Sequence, residues 1–218
     1  MRCLLPMKQN YDLLMQEELK KLDGRKTLLL HVCCGPCSSN VIKELSEYFD
    51  ITIFYSNSNI YPEEEYLRRR DELLTFIPEF NANNNRHITV VEDDYDLQAY
   101  TAKLAPLKDT GEKGERCHLC YEMRMTRAHD YALAHNFDYW TTVLSVSPHK
   151  ISRWINEIGL SFTDDHLKFL PSDFKKRNGY LNSVQTAEAY HMYRQSYCGC
   201  VYSYQESLAR VHQKEDHQ

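Results

Sequence analysis

Apolar residues along this chain fall into two kinds of run. Residues 27–32 (TLLLHV) form one apolar stretch, as expected of a strand buried on both faces of a parallel sheet. Residues 51–55 (ITIFY), 87–91 and 139–144 predict a second, third and fourth strand. Between the strands, apolar positions recur at helical spacing. A first helix is expected over about residues 6–23, ending near Gly24. A second starts at Ser38 and Ser39 and puts Val41, Ile42, Leu45 and Tyr48 on one face. Pro62 opens a third, with Tyr66, Leu73, Leu74 and Ile77 inward and the pairs Glu64/Arg68 and Glu65/Arg69 outward. A fourth carries Cys117 and Cys120 and runs to about His135. The remainder predicts helices only: one from about Lys150, one near 186–194 and one near 204–211, with a frayed tail over about 213–218.

Strands alternating with helices predict a single α/β domain over residues 1–218: a Rossmann-like parallel sheet with helices on both faces and a helical C-terminal part. Ligands of such sheets bind outside the carboxyl ends of the strands. Cys33, Cys34 and Cys37 fall there, as do residues 56–59 and 145–149. Asn57, Asn59, Ser147 and Lys150 are therefore binding candidates, although plain turns would look the same.

Charge and composition narrow the classes. The net charge is −5, from 26 basic and 31 acidic residues, which argues against a generic nucleic-acid binder. Basic residues do cluster locally, at 68–70, at 175–177 and at Arg116, Arg124 and Arg127. No apolar run approaches a membrane span, and the N-terminus has an early Pro and a polar run in place of a leader pattern. A cytoplasmic protein without membrane contact is expected. The seven glycines form no GxGxxG, so no nicotinamide or flavin fingerprint is present.

Eight cysteines are many for a reducing compartment, where metal or redox use is the better default. Cys3 stands alone and reads as inert. Residues 34–37 are CGPC, the thioredoxin tetrapeptide, but Cys33 adds a third thiol and no Trp precedes it. A strand ends and a helix begins here, and N–H groups at a helix start stabilise thiolates. That suits a redox pair and a metal ligand equally. Cys117 and Cys120, at i and i+3, lie on one helix face and can chelate one centre. A zinc site needs four such thiols and a 4Fe–4S cluster three or four. Zinc favours paired hairpins with Gly-rich knuckles, so these helix starts and strand ends favour the cluster. Cys198 and Cys200 in YCGC could close only a small, strained ring, and such disulfides reduce easily. They read as a redox-active pair or as ligands of a second metal.

Together these residues resemble the cobalamin-independent epoxyqueuosine reductases of the QueH type. The matching motifs are HVCCGPCS (31–38), YSNSNIYP (55–62) with Glu65, Tyr66 and Arg69, RCHLC (116–120) with Arg124, and TTVLSVSP (141–148) with Lys150. Asp173-Phe, Lys176, Gly179-Tyr180 and YRQSYCGCVYS (193–203) continue the series. The resemblance implies a Rossmann-like fold related to adenine nucleotide alpha-hydrolases. It implies reduction of epoxyqueuosine to queuosine at the wobble position of tRNA, the last step of queuosine biosynthesis. It also implies a 4Fe–4S cluster, with an additional mononuclear iron described for the type, and no cobalamin.

Carried onto this chain, Cys33, Cys34, Cys117 and Cys120 become the leading cluster ligands. Cys37 stands where some relatives have Asp, and it competes with Cys33 for the cluster. Cys198 and Cys200 either ligate the second iron or form a redox disulfide. Asp173, Tyr55 and Tyr197 are candidate proton donors. Tyr55, Asn57, Asn59, Arg69, Arg124, Ser147 and Lys150 are the substrate-binding candidates. Arg and Lys clusters would meet tRNA phosphates, and an external, ferredoxin-like donor would supply electrons. The rivals are a cytosolic thiol–disulfide oxidoreductase using CGPC and a zinc-stabilised nucleic-acid-binding module. A sulfur-transfer enzyme of related fold would need an SGG-type loop where CCGPCSS stands.

Overall fold

The computed structural model describes residues 9–162 and 165–215. Strands β1 (Lys26–His31), β2 (Phe49–Tyr55), β3 (Thr89–Glu92), β4 (Tyr139–Thr142) and β5 (Lys168–Phe169) form one all-parallel sheet in the order β3-β2-β1-β4-β5. The helices are α1 (Tyr11–Lys20), α2 (Gly35–Leu45), α3 (Glu63–Asn84), α4 (Leu97–Leu104), α5 (Glu115–Ala134), α6 (Ser152–Ser161), α7 (Gly179–Ala189) and α8 (Val201–Glu215). This is the Rossmann-like α/β architecture that the alternating pattern predicts.

The apolar run of β1 is explained by burial on both sides. Leu28 and Leu30 face one core with Met15 of α1, Ile42 of α2, Phe76 of α3 and Ala187 of α7. Leu29 faces the other core with Met125 and Ala128 of α5, Ile155 of α6 and Trp140 of β4. All three leucines are fully buried, each contributing about 1.5–3 kcal/mol relative to exposure. The chain runs outward from β1 through β2 to β3, then crosses back to place β4 on the other side of β1. Connections leaving β1 and β4 thus diverge, and a crevice opens between them at the carboxyl ends.

Several expectations are corrected. α1 is shorter than 6–23: Asn10 caps it, accepting from Leu13 N at 3.3 Å, and residues 6–8 lie outside the described range, as does Cys3. α2 starts at Gly35, because Pro36 needs no donor in the first turn, and Tyr48 lies past its end and is exposed. Leu74 is exposed, whereas Glu65 and Arg69 turn inward as a buried ion pair. β4 ends at Thr142 and gives way to a 3₁₀ turn, Val143–Val146. α7 occupies Gly179–Ala189, not 186–194, because the chain turns at His191 with φ 52°. α8 extends to Glu215, beyond the tail expected to fray from 213, and residues 216–218 are outside the description. α4, capped by Asp96, and the two-residue β5 were not predicted. Among the described residues no helix is long and apolar enough to cross a membrane.

Candidate metal centre

β1 ends at His31, and Cys34 caps α2 in an extended conformation. The Cys33, Cys34 and Cys37 sulfurs lie within 4.8 Å of one another, with Cys33 and Cys34 3.8 Å apart. They point to the start of α2, where unpaired N–H groups favour negative charge. Hydrogen bonds from Cys34 and Cys37, with Arg124 and Lys150 nearby, hold the Cys33 thiol well below its ordinary range. Bonding to Cys33 pushes Cys34 up to about 12 and Cys37 well above normal. Within the corner, Cys33 is thus the sulfur most favoured to carry negative charge.

The first turn of α5 brings Cys117 and Cys120 to the same cavity, of about 400 Å³, that Cys33 and Cys37 line. Burial pushes Cys120 up to about 11 and raises Cys117 as well. Tyr100 of α4 donates its hydroxyl to Cys120 Sγ at 3.2 Å and to Cys120 O at 3.1 Å. The segment after α7 forms the facing wall. Gln195 Nε2 donates to Cys34 Sγ at 3.1 Å, and Lys150 Nζ to Cys198 Sγ at 3.1 Å. Burial works to raise the Cys198 thiol, but Lys150 and Arg124 outweigh it and hold the group below its ordinary value. Cys198 and Cys200 are both free thiols, and both line the cavity.

Two cations accompany the sulfurs, Arg124 behind the corner and Lys150 on the cavity wall. Arg124 is 3 % exposed, and its guanidinium donates to Asn57 Oδ1 at 2.6 Å while Nε has no partner. Burial opposes its charge, and the Cys120 and Cys33 sulfurs offset that cost. Asn57 in turn donates to Val32 O at 2.9 Å. His31 lies against Arg124, between Thr142 Oγ1 at 2.8 Å and Ser56 O at 3.2 Å. Burial and Arg124 push it down to about 3, so it is neutral at physiological pH. Assigned from this network, Nε2 carries the proton toward Ser56 O and Nδ1 accepts from Thr142. Among the described residues neither Arg124 nor Lys150 has a carboxylate ion-pair partner, and both face thiols. Buried cations without counter-charge are costly. The grouped thiols, the buried Arg124 and the half-buried Lys150 therefore fit a group that is anionic when bound through sulfur.

The substrate-binding candidates separate into two sets. Asn59, Ser147 and Lys150 line the cavity, and the buried Asn59 Oδ1 has no partner. Asn57 and Arg124 support the corner from behind. Tyr55 is buried, donating to Tyr66 O at 2.9 Å, and Tyr197 donates to Tyr61 O at 2.6 Å. Burial pushes both phenols up. Asp173 accepts from Ser152, pairs with Lys175 at 2.7 Å and is not among the residues lining the cavity. Arg69 is engaged by protein groups on three nitrogens. Sequence reasoning missed Tyr100, Tyr121 of α5, which lines the cavity, the role of Gln195 and the inward turn of Glu65. Gln195 lay inside a quoted motif, but Tyr100 lies on the helix that the pattern did not reveal.

Comparison with known proteins places the chain in one family. A family model described as Epoxyqueuosine reductase QueH matches residues 28–206. A protein of Streptococcus pyogenes serotype M1 named Epoxyqueuosine reductase QueH is 42% identical over 200 residues, covering 90% of this chain and 78% of that protein. One of Staphylococcus aureus with the same name is 38% identical, covering 90% and 84%. One of Thermotoga maritima, again so named, is 29% identical over 195 residues, covering 88% and 98%.

Proposed function

The chain belongs to the epoxyqueuosine reductase QueH family, and on that basis we propose that it reduces epoxyqueuosine to queuosine at the wobble position of tRNA. The epoxide oxygen leaves as water, the two ring carbons become an alkene, and two electrons and two protons are consumed. The observation that carries this reading is the convergence of Cys33, Cys37, Cys117 and Cys120 on one cavity, with Cys34 within 4.8 Å of Cys33 and Cys37 and with Arg124 and Lys150 close by.

Those five cysteines are the ligand set from which a 4Fe–4S cluster would be held. A cluster bound there would supply electrons one at a time, from an external donor of ferredoxin type. Cys198 and Cys200 serve either as a redox pair or as ligands of a further iron. Lys150 presents an ammonium to the cavity, where it can meet negative charge developing on the leaving oxygen. Asn59, Ser147 and Lys150 contact the modified base, while Asn57 and Arg124 hold the corner in register. Arg194 and Arg210 at the cavity rim are exposed and suited to tRNA phosphates.

The test is anaerobic reconstitution with iron and sulfide, metal analysis, and an assay on epoxyqueuosine-containing tRNA with a chemical reductant. About four or more irons per chain and an absorption that bleaches on reduction are expected, with conversion to queuosine. A protein that takes up zinc only, and leaves the tRNA unchanged, would move the reading to a zinc-stabilised RNA-binding module.

A further inference from the structure

The segment carrying Cys198 and Cys200 lies between α7 and α8, outside any helix or strand. Its backbone is gripped from α3 by one buried ion pair. Arg69 is 1 % exposed and Glu65 8 %. Arg69 Nε donates to Glu65 Oε1 at 2.7 Å, Nη1 to Cys198 O at 3.2 Å and Nη2 to Tyr197 O at 3.3 Å. Tyr193 donates its hydroxyl to Glu65 Oε2 at 3.1 Å, so the same carboxylate holds the start of the segment. Gly199 has φ 129°, and a Cβ there would stand 3.1 Å from Arg69 Nη1 and 3.3 Å from Ile60 Cγ1. Gly199 O accepts from Tyr61 N at 2.7 Å.

We propose that Arg69, held by Glu65, is a positioning residue. It fixes the backbone of Tyr197 and Cys198 so that the two thiols of the segment face the cysteine corner, and it does not touch substrate. The planar fork of the guanidinium explains the choice of residue. Three nitrogens in one plane reach a carboxylate and two successive carbonyls, which the point charge of a lysine cannot do. Stability alone does not call for the pair, since apolar residues of similar volume often replace buried ion pairs at no cost. The role in turnover rests on the reductase reading, whereas the grip on the backbone does not.

Two variants test it: Arg69→Lys, and the double change Glu65→Leu with Arg69→Met, which fills the site with apolar volume if the single variant fails to fold. Amide hydrogen exchange is measured on the reduced, metal-free protein, and steady-state kinetics on the reconstituted one. Exchange is expected to quicken about tenfold at Tyr61 and over residues 197–203, with β1 unchanged. The kcat should fall with KM for tRNA unaltered. Uniform acceleration across the sheet would reduce the pair to a general stabiliser. A raised KM with kcat intact would make Arg69 a substrate contact. Either result overturns the proposal. If the reconstituted wild-type enzyme leaves epoxyqueuosine untouched, the reductase reading fails, while the exchange data still decide whether Arg69 grips the segment.

Discussion

The two walls of the cavity are built in opposite ways. The corner after β1 is local: three thiols within five residues, aimed by a strand end and the first turn of α2. The facing wall, from Tyr193 to Cys200, has no regular structure of its own and is held by side chains distant in sequence, Arg69, Glu65 and Lys150 among them. A local wall tolerates loss of one contact because the backbone ladder still aims it. A tethered wall depends on each bond that holds it.

The largest expected effect breaks the local wall chemically. Cys34→Ser should leave a folded protein that retains no iron after anaerobic reconstitution and desalting, with reductase activity lost. Iron at the wild-type level would end the assignment of this thiol as a ligand. Next comes the tethered wall. Gly199→Ala forces a side chain onto a φ of 129° and against Arg69, so stability should fall by about 1–3 kcal/mol. Calorimetry reads that loss, and kcat should drop while iron content stays unchanged. A variant that melts and turns over like wild type would show the segment to be freely mobile. Gln195→Leu cuts the bond that spans the two walls, from Nε2 to Cys34 Sγ. The expected cost is about 0.5–1.5 kcal/mol. In the reconstituted protein the reduction potential should become more negative, because a donor to a ligating sulfur is gone. An unchanged potential, read by redox titration, would confine Gln195 to packing. Tyr193→Phe acts on stability alone: it removes one hydroxyl from Glu65 and should cost about 1 kcal/mol, seen as a melting point lower by about 2–4 °C.

The same contrast decides what could be read from the sequence. Strand β1 announces itself because burial on both faces writes a continuous apolar run, and β2 and β4 because bulky apolar and β-branched residues fill short runs. The corner was legible because its chemistry is contiguous in the chain. The Cys117–Cys120 pair was legible for the same reason, one helical turn apart. β5 has only two residues, too few for any period to register. α4 is eight residues long, and only Tyr100 and Leu104 on it are buried, so its pattern is faint. With it was lost Tyr100, the hydroxyl donor to Cys120. Glu65 and Arg69 at i and i+4 look like any solvent-facing pair. Their burial follows only from the return of the chain, more than a hundred residues later, to cover them.

That late return has a consequence in time as well as in space. Roughly 160 residues separate Cys37 from Gln195. At synthesis rates of about 5–20 residues per second, the covering segment is made roughly 10–30 s after the corner. During that interval the wall that later confines the three thiols has not yet been synthesised. Order of translation therefore sets an assembly schedule in which the corner is accessible first and enclosed last.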